Sequence, residues 1–277
     1  MSGVIRVSGL TKTFGATRRA PGIVAVRDVS FSLGGAQAIG LVGESGSGKS
    51  TLARMLVGLT RPDAGTIEFN GRIREWGERG RAARLRRARE IQMVFQDPYG
   101  SLDRRLTVEN ALRDVLHRHL ADRSAVDAKI AELTDRVGLA SRLLASRPHQ
   151  LSGGQRQRVA IAKAIAVNPA VLVLDEATSA LDVSVQAQIL ALLTDIRADT
   201  GVSLVFVSHD LAVVGKVTDS ILVMYRGQAV EQGRTADVLR RPQHPYTEML
   251  LSSAPGPGWH PEQVAELRAA FAGDHER

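Results

Sequence analysis

Two stretches of this chain hold residue types whose spacing could do chemistry: Gly43-Glu44-Ser45-Gly46-Ser47-Gly48-Lys49-Ser50, and Asp175-Glu176 at the end of an apolar run. The first has the form G-x-x-x-x-G-K-S. In such a loop the backbone N–H groups and the N-terminus of the next helix surround the α- and β-phosphates of a nucleotide. Lys49 reaches the β- and γ-phosphates, and the Ser50 hydroxyl ligates Mg²⁺. Gly43, Gly46 and Gly48 let the backbone turn with its N–H groups inward, and Thr51 adds a second hydroxyl near the α-phosphate. A Gly/Ser turn that only joined a strand to a helix would not need four fixed positions at Gly43, Gly48, Lys49 and Ser50. A dinucleotide fingerprint fits worse, because its third glycine would fall where Thr51 stands.

The second stretch, Val171-Leu-Val-Leu-Asp175-Glu176, reads as a strand buried on both faces that delivers two carboxylates at its carboxyl end. Asp175 suits the Mg²⁺ shell, and Glu176 suits the orientation and deprotonation of an attacking water. Gln96 and His209 end two further apolar runs, at the sheet edge where α/β folds place ligand-contacting groups. Gln96 is therefore a candidate for catalysis and the metal side, and His209 for a γ-phosphate contact. Leu151-Ser152-Gly153-Gly154-Gln155 opens a helix and forms a second anion-binding element. Phe14 is a candidate to stack on an adenine ring, against the alternative of an ordinary core aromatic.

Elements must hold these residues in place. Val4 to Ser8 and Val29 to Leu33 read as short strands joined by a polar loop, with Phe14 before the strand pair. Ala38 to Val42 reads as a strand, Ser50 to Gly58 as a short helix, and Arg61-Pro-Asp-Ala-Gly65 as a turn. Eight arginines between Arg72 and Arg89 read as a solvated basic helix; near a membrane it would face anionic lipid, and without interleaved aromatics it is a poor nucleic-acid site. Apolar positions from Val108 to Leu120 and from Val126 to Val137 give two helices, the second opened by a Ser124-x-x-Asp127 cap and closed at Gly138. Ser179 to Asp182 caps the helix whose core face is Val185, Ile189, Leu192, Leu193 and Ile196. Ser203 to Val207 is a strand. Ile221 to Tyr225 and Gln228 to Glu231 form a small strand pair, Thr235 to Arg240 a short helix, and His260 to Arg277 an amphipathic tail helix.

Composition narrows the class. With 277 residues, 44% hydrophobic, and no apolar run near the ~18 residues of a membrane span, the chain is expected to be globular. The N-terminus shows no secretory signal, which places the chain in the cytosol. The absence of cysteine excludes disulfides and thiolate metal sites, and the net charge of +7 favours anionic partners without choosing among them.

Together GESGSGKS, the Gln96 segment, LSGGQRQR, VLVLDE, SALD and His209 resemble the ATPase subunit of ABC transporters, over about residues 4 to 257. That resemblance implies an α/β fold: a P-loop NTPase core of ABC ATPase type, an inserted helical subdomain at about residues 100–168, and a small N-terminal antiparallel β subdomain. Residues 1–257 would be the nucleotide-binding domain and 258–277 a C-terminal tail.

The resemblance further implies ATP and Mg²⁺ as cofactors, and a head-to-tail dimer with two ATPs sandwiched. Each would lie between one chain's phosphate loop, with Phe14 and Gly43 to Thr51, and the partner's Ser152, Gly153, Gly154 and Gln155, with Asp182 near by. Lys49, Gln96, Glu176 and His209 would be catalytic, and Ser50, Gln96 and Asp175 would lie on the metal side.

VFQDPYGSLDRRLTV and HPYTEMLLSSAPGP are similar to the oligopeptide, dipeptide and nickel uptake subgroup. Asp103-Arg104 departs from its usual Asn-Pro, and the cysteine-ligated cluster of some members is excluded here. The expected partners are a paralogous ATPase in a heterodimer (a homodimer being the alternative), two membrane permease subunits and a solute-binding protein, with no nucleic acid. The expected place is the cytoplasmic face of the membrane. Only about a hundred residues separate the phosphate loop from LSGGQ, too few for the coiled coils of genome-maintenance ATPases, and no second phosphate loop exists as a tandem translation ATPase would need. An ABC exporter ATPase is the remaining rival.

Overall fold

The chain builds two sheets because its apolar residues follow two patterns. In the N-terminal part they alternate, which buries one face; in the central runs they are continuous, which buries both. The computed structural model describes residues 4–15, 22–97, 100, 102–120, 122–179 and 181–253. Strands β1 (Ile5–Phe14), β2 (Ile23–Leu33), β4 (Ala64–Phe69) and β5 (Arg72–Ile73) form an antiparallel sheet in the order β2-β1-β4-β5. Ile5, Val7, Phe31, Leu33, Ile67 and Phe69 line its buried side.

The second sheet has the order β10-β9-β3-β8-β7-β6. Its strands are β3 (Ala38–Val42), β6 (Ile91–Val94), β7 (Val171–Asp175), β8 (Ser203–Ser208), β9 (Ser220–Tyr225) and the antiparallel edge β10 (Gln228–Arg234). The other pairings are parallel, and every residue of β3, β7 and β8 is buried. Full burial of such Val and Leu side chains stabilises by about 1.5–3 kcal/mol each. Parallel strands put all their carboxyl ends on one edge. The loops after β3, β6, β7 and β8 therefore converge there.

Helices α1 (Lys49–Leu56), α2 (Arg81–Glu90), α3 (Val108–His119), α4 (Val126–Arg136), α5 (Gly153–Ile165), α6 (Val183–Thr200), α7 (Leu211–Val217), α8 (Thr235–Arg240) and α9 (Pro245–Ser252), with two 3-10 turns at Ser141–Ala145 and Pro148–Gln150, complete the described fold. Leu112, Leu116, Ile130, Leu133 and Val159 join α3, α4 and α5 in one apolar cluster. Among the described residues no helix is long and apolar enough to cross a membrane. The α/β class with a parallel core and a small N-terminal antiparallel sheet is what the chain adopts.

Several local expectations are corrected. The polar stretch after Ser8 is largely strand: β1 runs to Phe14, and pairs Lys12 with Val26 and Phe14 with Ile23. Backbone pairing there overrides polar composition. Phe14 thus ends the first strand instead of preceding the pair. The Arg61–Gly65 turn stops at Asp63, whose carboxylate accepts from Lys12 Nζ and Thr13 N at 2.7 Å each, and Ala64 already begins β4.

Ser124 does not cap α4. Its N–H and hydroxyl both bond Asp122, and Ala125 holds the cap position without a side-chain bond. The basic run is divided between β5 and α2, and Arg74 is buried beneath the end of α1, donating to the Met55 and Leu56 carbonyls. Burial pushes its pKa down to about 10. Ile221–Tyr225 and Gln228–Glu231 do pair, as expected, and β9 also docks in parallel on β3, so the pair extends the core sheet. The expected helix at 260–277 lies outside the described residues.

Candidate functional site

The phosphate-loop residues leave β3 through backbone that only glycine adopts easily. Gly43 has φ 149° and Gly48 φ 104°, and an added Cβ would stand 2.2 Å from the Met224 carbonyl oxygen and 2.2 Å from the Ala25 carbonyl oxygen respectively. The loop is packed against β9 and β2 at a distance that no side chain fits. Gly48→Ala should destabilise the fold by about 2 kcal/mol or more, the strain of a left-handed residue plus the clash. A urea midpoint equal to that of the unmodified chain would contradict this packing.

Lys49, only 3% exposed, curls back over the loop. Its Nζ donates to the Gly43 carbonyl at 2.7 Å, the Glu44 carbonyl at 2.8 Å and Ser47 Oγ at 3.4 Å. Burial lowers its pKa below the usual lysine value, opposed by the charges of Glu176, Asp175 and Glu44. Ser50 Oγ donates to Asp175 Oδ1 at 2.9 Å. Burial raises the Asp175 pKa, and the bond from Ser50 works against that rise. A hydroxyl and a carboxylate in contact, both hard oxygen donors beside a phosphate-binding turn, are a donor set that suits Mg²⁺ completed by phosphate oxygens and water.

Glu176 follows β7 in a left-handed conformation, φ 46°, pinned by its N–H on the Val207 carbonyl at 3.0 Å and by Ser179 N–H and Oγ on its own carbonyl. A non-glycine residue held there is strained. Gln96 Nε2 donates to Glu176 Oε2 at 3.0 Å, and His209 Nδ1 lies 3.6 Å from Glu176 Oε1. The Glu176 side chain is 14% exposed against 55% for His209, so the carboxylate sits inside and the imidazole at the mouth. Four separate loops, after β3, β6, β7 and β8, thus bring Lys49, Ser50, Gln96, Asp175, Glu176 and His209 together. Gln96 is brought to Glu176, while Asp175 pairs with Ser50. Gly46, φ 83°, and Thr51 lie in the same loop and first helical turn.

The other expected site residues are held elsewhere. Ser152 and Gln155 form a reciprocal cap at the start of α5, with Gln155 N on Ser152 Oγ at 3.3 Å and Ser152 N on Gln155 Oε1 at 2.9 Å. The N–H groups of Gly153 and Gly154 fall in that first turn, which has no acceptor within the helix. Gly154 also lets α5 meet α6, since a Cβ would fall 2.5 Å from Val185 Cγ1. Asp182 caps α6 through Val185 N at 2.9 Å, a bond that holds its carboxyl below the ordinary aspartate value. Phe14 is 45% exposed, with Lys12 Nζ 5.5 Å from its ring centre. Among the described residues no hydrogen bond or ion pair joins Phe14, Ser152 to Gln155 or Asp182 to the phosphate loop.

Sequence reasoning missed three participants. Ser47 takes part in holding Lys49, and Glu44 supplies one of its carbonyl acceptors. The Glu44 N–H, in turn, donates to the Tyr246 hydroxyl at 2.9 Å. His-Pro-Tyr-Thr was legible only as a likeness to relatives; its contact with a loop two hundred residues away left no local signal.

The ABC transporter family model matches residues 26–179, and the model described as oligopeptide/dipeptide transporter, C-terminal region, matches residues 230–273. The glutathione import ATP-binding protein GsiA of Pectobacterium atrosepticum is 48% identical over 233 residues, covering 83% of this chain and 37% of that protein. GsiA of Escherichia coli (strain K12) is 47% identical over 232 residues, with the same coverage. The chain therefore spans little more than a third of the length of these relatives. Among solved structures, cbiO1 from Clostridium perfringens, part of the ABC transporter complex cbiONQ, superposes with a TM-score of 0.77 at 25% identity, covering 87% of this chain and 92% of that one. The ATP-binding cassette MJ0796, a dimer bound to ADP and Pi after hydrolysis, does so with a TM-score of 0.73 at 26% identity, covering 83% and 98%.

Proposed function

We propose, from the premise that this chain belongs to the ABC transporter family, that it is the ATP-hydrolysing subunit of an importer of peptide-like or metal-chelate solutes. The observation that carries the hydrolytic part of this reading is the pair of contacts at one sheet edge, Ser50 with Asp175 and Gln96 with Glu176, and the import part is supported by the match of residues 230–273 and by the GsiA relatives. They separate a metal-side carboxylate from a second carboxylate free to take a proton. Bound Mg²⁺, held by Ser50 and Asp175, would neutralise phosphate charge. Lys49 exchanges the Gly43 and Glu44 carbonyls for β- and γ-phosphate oxygens. Glu176 accepts the proton of a water whose oxygen bonds the γ-phosphorus as the bond to the β–γ bridging oxygen breaks and ADP leaves. Gln96 orients Glu176, and His209 contacts the γ-phosphate from the mouth.

Residues 1–257 are the nucleotide-binding domain in this reading, with the helical subdomain at about 100–168 and a tail at 258–277. Ser152 to Gln155 and Asp182, which cap their own helices, serve the ATP of a partner cassette in this reading, with Phe14 stacking on adenine. The partner cassette is a paralogue by preference. Two membrane permease subunits and a solute-binding protein complete the assembly at the cytoplasmic face of the membrane, and no nucleic acid takes part. The names of the GsiA relatives make glutathione, itself a tripeptide, the first solute to test. Deleting the encoding gene should abolish uptake of labelled glutathione, a dipeptide or a nickel chelate. Unimpaired uptake of all three, with a defect in drug or lipid export instead, would overturn the import reading.

A further inference from the structure

Tyr246 sits where the nucleotide chemistry above gives it no part. It is 0% exposed, its ring centre is 4.4 Å from that of Tyr225, and its hydroxyl receives the Glu44 N–H. That N–H and the Gly43 carbonyl belong to one peptide unit, the first of the phosphate loop. The unit is clamped on both sides: Lys49 Nζ holds the carbonyl at 2.7 Å, and Tyr246 Oη holds the N–H at 2.9 Å. Once Lys49 turns to phosphate oxygens, the carbonyl clamp is released and the tyrosine clamp persists.

The tyrosine is itself firmly placed. Glu231 of β10 accepts Gln243 N at 2.9 Å and His244 N at 3.1 Å, His244 Nδ1 accepts Tyr246 N at 3.1 Å, and Pro245 begins α9. Burial pushes the phenol up to about 12, so the acceptor stays neutral through the physiological range. Glu231 and Tyr246 both fall in the stretch that matches the oligopeptide/dipeptide transporter C-terminal region.

We propose that Tyr246 is a positioning residue for nucleotide binding: its hydroxyl holds the Gly43–Glu44 peptide in the turn that receives phosphate, which makes α9 part of the nucleotide-binding apparatus. The proposal rests on the reading that this loop holds ATP. Coupling between two sites is reciprocal, so ATP in the loop should in turn steady α9. Tyr246→Phe keeps the ring and removes the neutral hydroxyl that accepts the part-buried Glu44 N–H. Its Kd and KM for ATP should rise about 3- to 10-fold with kcat within about twofold of the unmodified chain. Glu231→Ala, which loosens the entry to α9, should move affinity in the same direction.

The experiment measures binding of a fluorescent ATP analogue, steady-state ATPase kinetics, nucleotide-free melting temperature, and hydrogen exchange of residues 245–252 with and without Mg-ATP, on the full chain. ATP should slow exchange there in the unmodified chain and do so less in Tyr246→Phe. Failure of the unmodified chain to bind the analogue would overturn the reading of the loop itself. Normal binding by the unmodified chain together with equal affinity in Tyr246→Phe, or a lowered melting temperature with unchanged KM, would overturn the role of Tyr246 alone. Should Tyr246→Phe not fold, the proposal stands or falls on Glu231→Ala and on exchange in the unmodified chain.

Discussion

Glu176→Gln should lower ATP turnover by about 10²- to 10⁴-fold while ATP still binds, the usual share of a positioned base in proton transfer. The substitution preserves length and shape, and its amide oxygen can still accept from Gln96 Nε2, which reaches the carboxylate at 3.0 Å. What it removes is the proton acceptor. The strained backbone at residue 176, φ 46°, is unchanged, so the site should keep its geometry. If hydrolysis is also what releases a closed dimer, the variant should accumulate as an ATP-bound pair, with itself or with a paralogous cassette. Ser152→Arg should prevent this by crowding the face that meets the partner's nucleotide. Size-exclusion chromatography of both variants in Mg-ATP, beside a phosphate-release assay, tests the two expectations together. An unaltered hydrolysis rate removes Glu176 as the base. Glu176→Gln that stays monomeric under every pairing removes the shared site.

Lys49→Ala should weaken ATP binding about 10- to 100-fold and depress turnover with it, since a hydrogen bond to a charged group contributes about 1.5–3 kcal/mol. The loss is moderated because the native lysine must first give up its bonds to the Gly43 and Glu44 carbonyls. Those carbonyls lose their donor in the variant, so part of the effect is a looser loop. Calorimetric titration with ATP separates this from misfolding when the melting curve is taken on the same sample. Unchanged ATP affinity in a folded variant would mean that the G-x-x-x-x-G-K-S stretch is not a phosphate site.

The sequence determined by itself whatever depended on local pattern. Continuous apolar runs announced β3, β7 and β8, because a strand buried on both faces is apolar through its interior, with polar residues such as Asp175, Ser203 and Ser208 only at its ends. Four fixed positions announced the phosphate turn, and the capping residues Ser152 and Asp182 marked helix starts that α5 and α6 adopt. Local pattern misled where pairing decides. The Lys12 to Phe14 segment is polar yet is strand, because β2 offers its backbone a ladder. Ser124 reads as a cap yet turns to Asp122, a competing local acceptor. A basic run hides Arg74, whose guanidinium is drawn under α1 by carbonyls that no sequence window contains.

Only the tertiary structure decided which chemical residues meet. Strand order β3-β8-β7-β6 sets Lys49, His209, Glu176 and Gln96 side by side, although they are scattered along the chain. The same packing ties Glu44 to Tyr246, two hundred residues away in the chain. Long-range hydrogen bonds depend on how sheets and helices stack, and that geometry leaves no periodicity in the sequence to read.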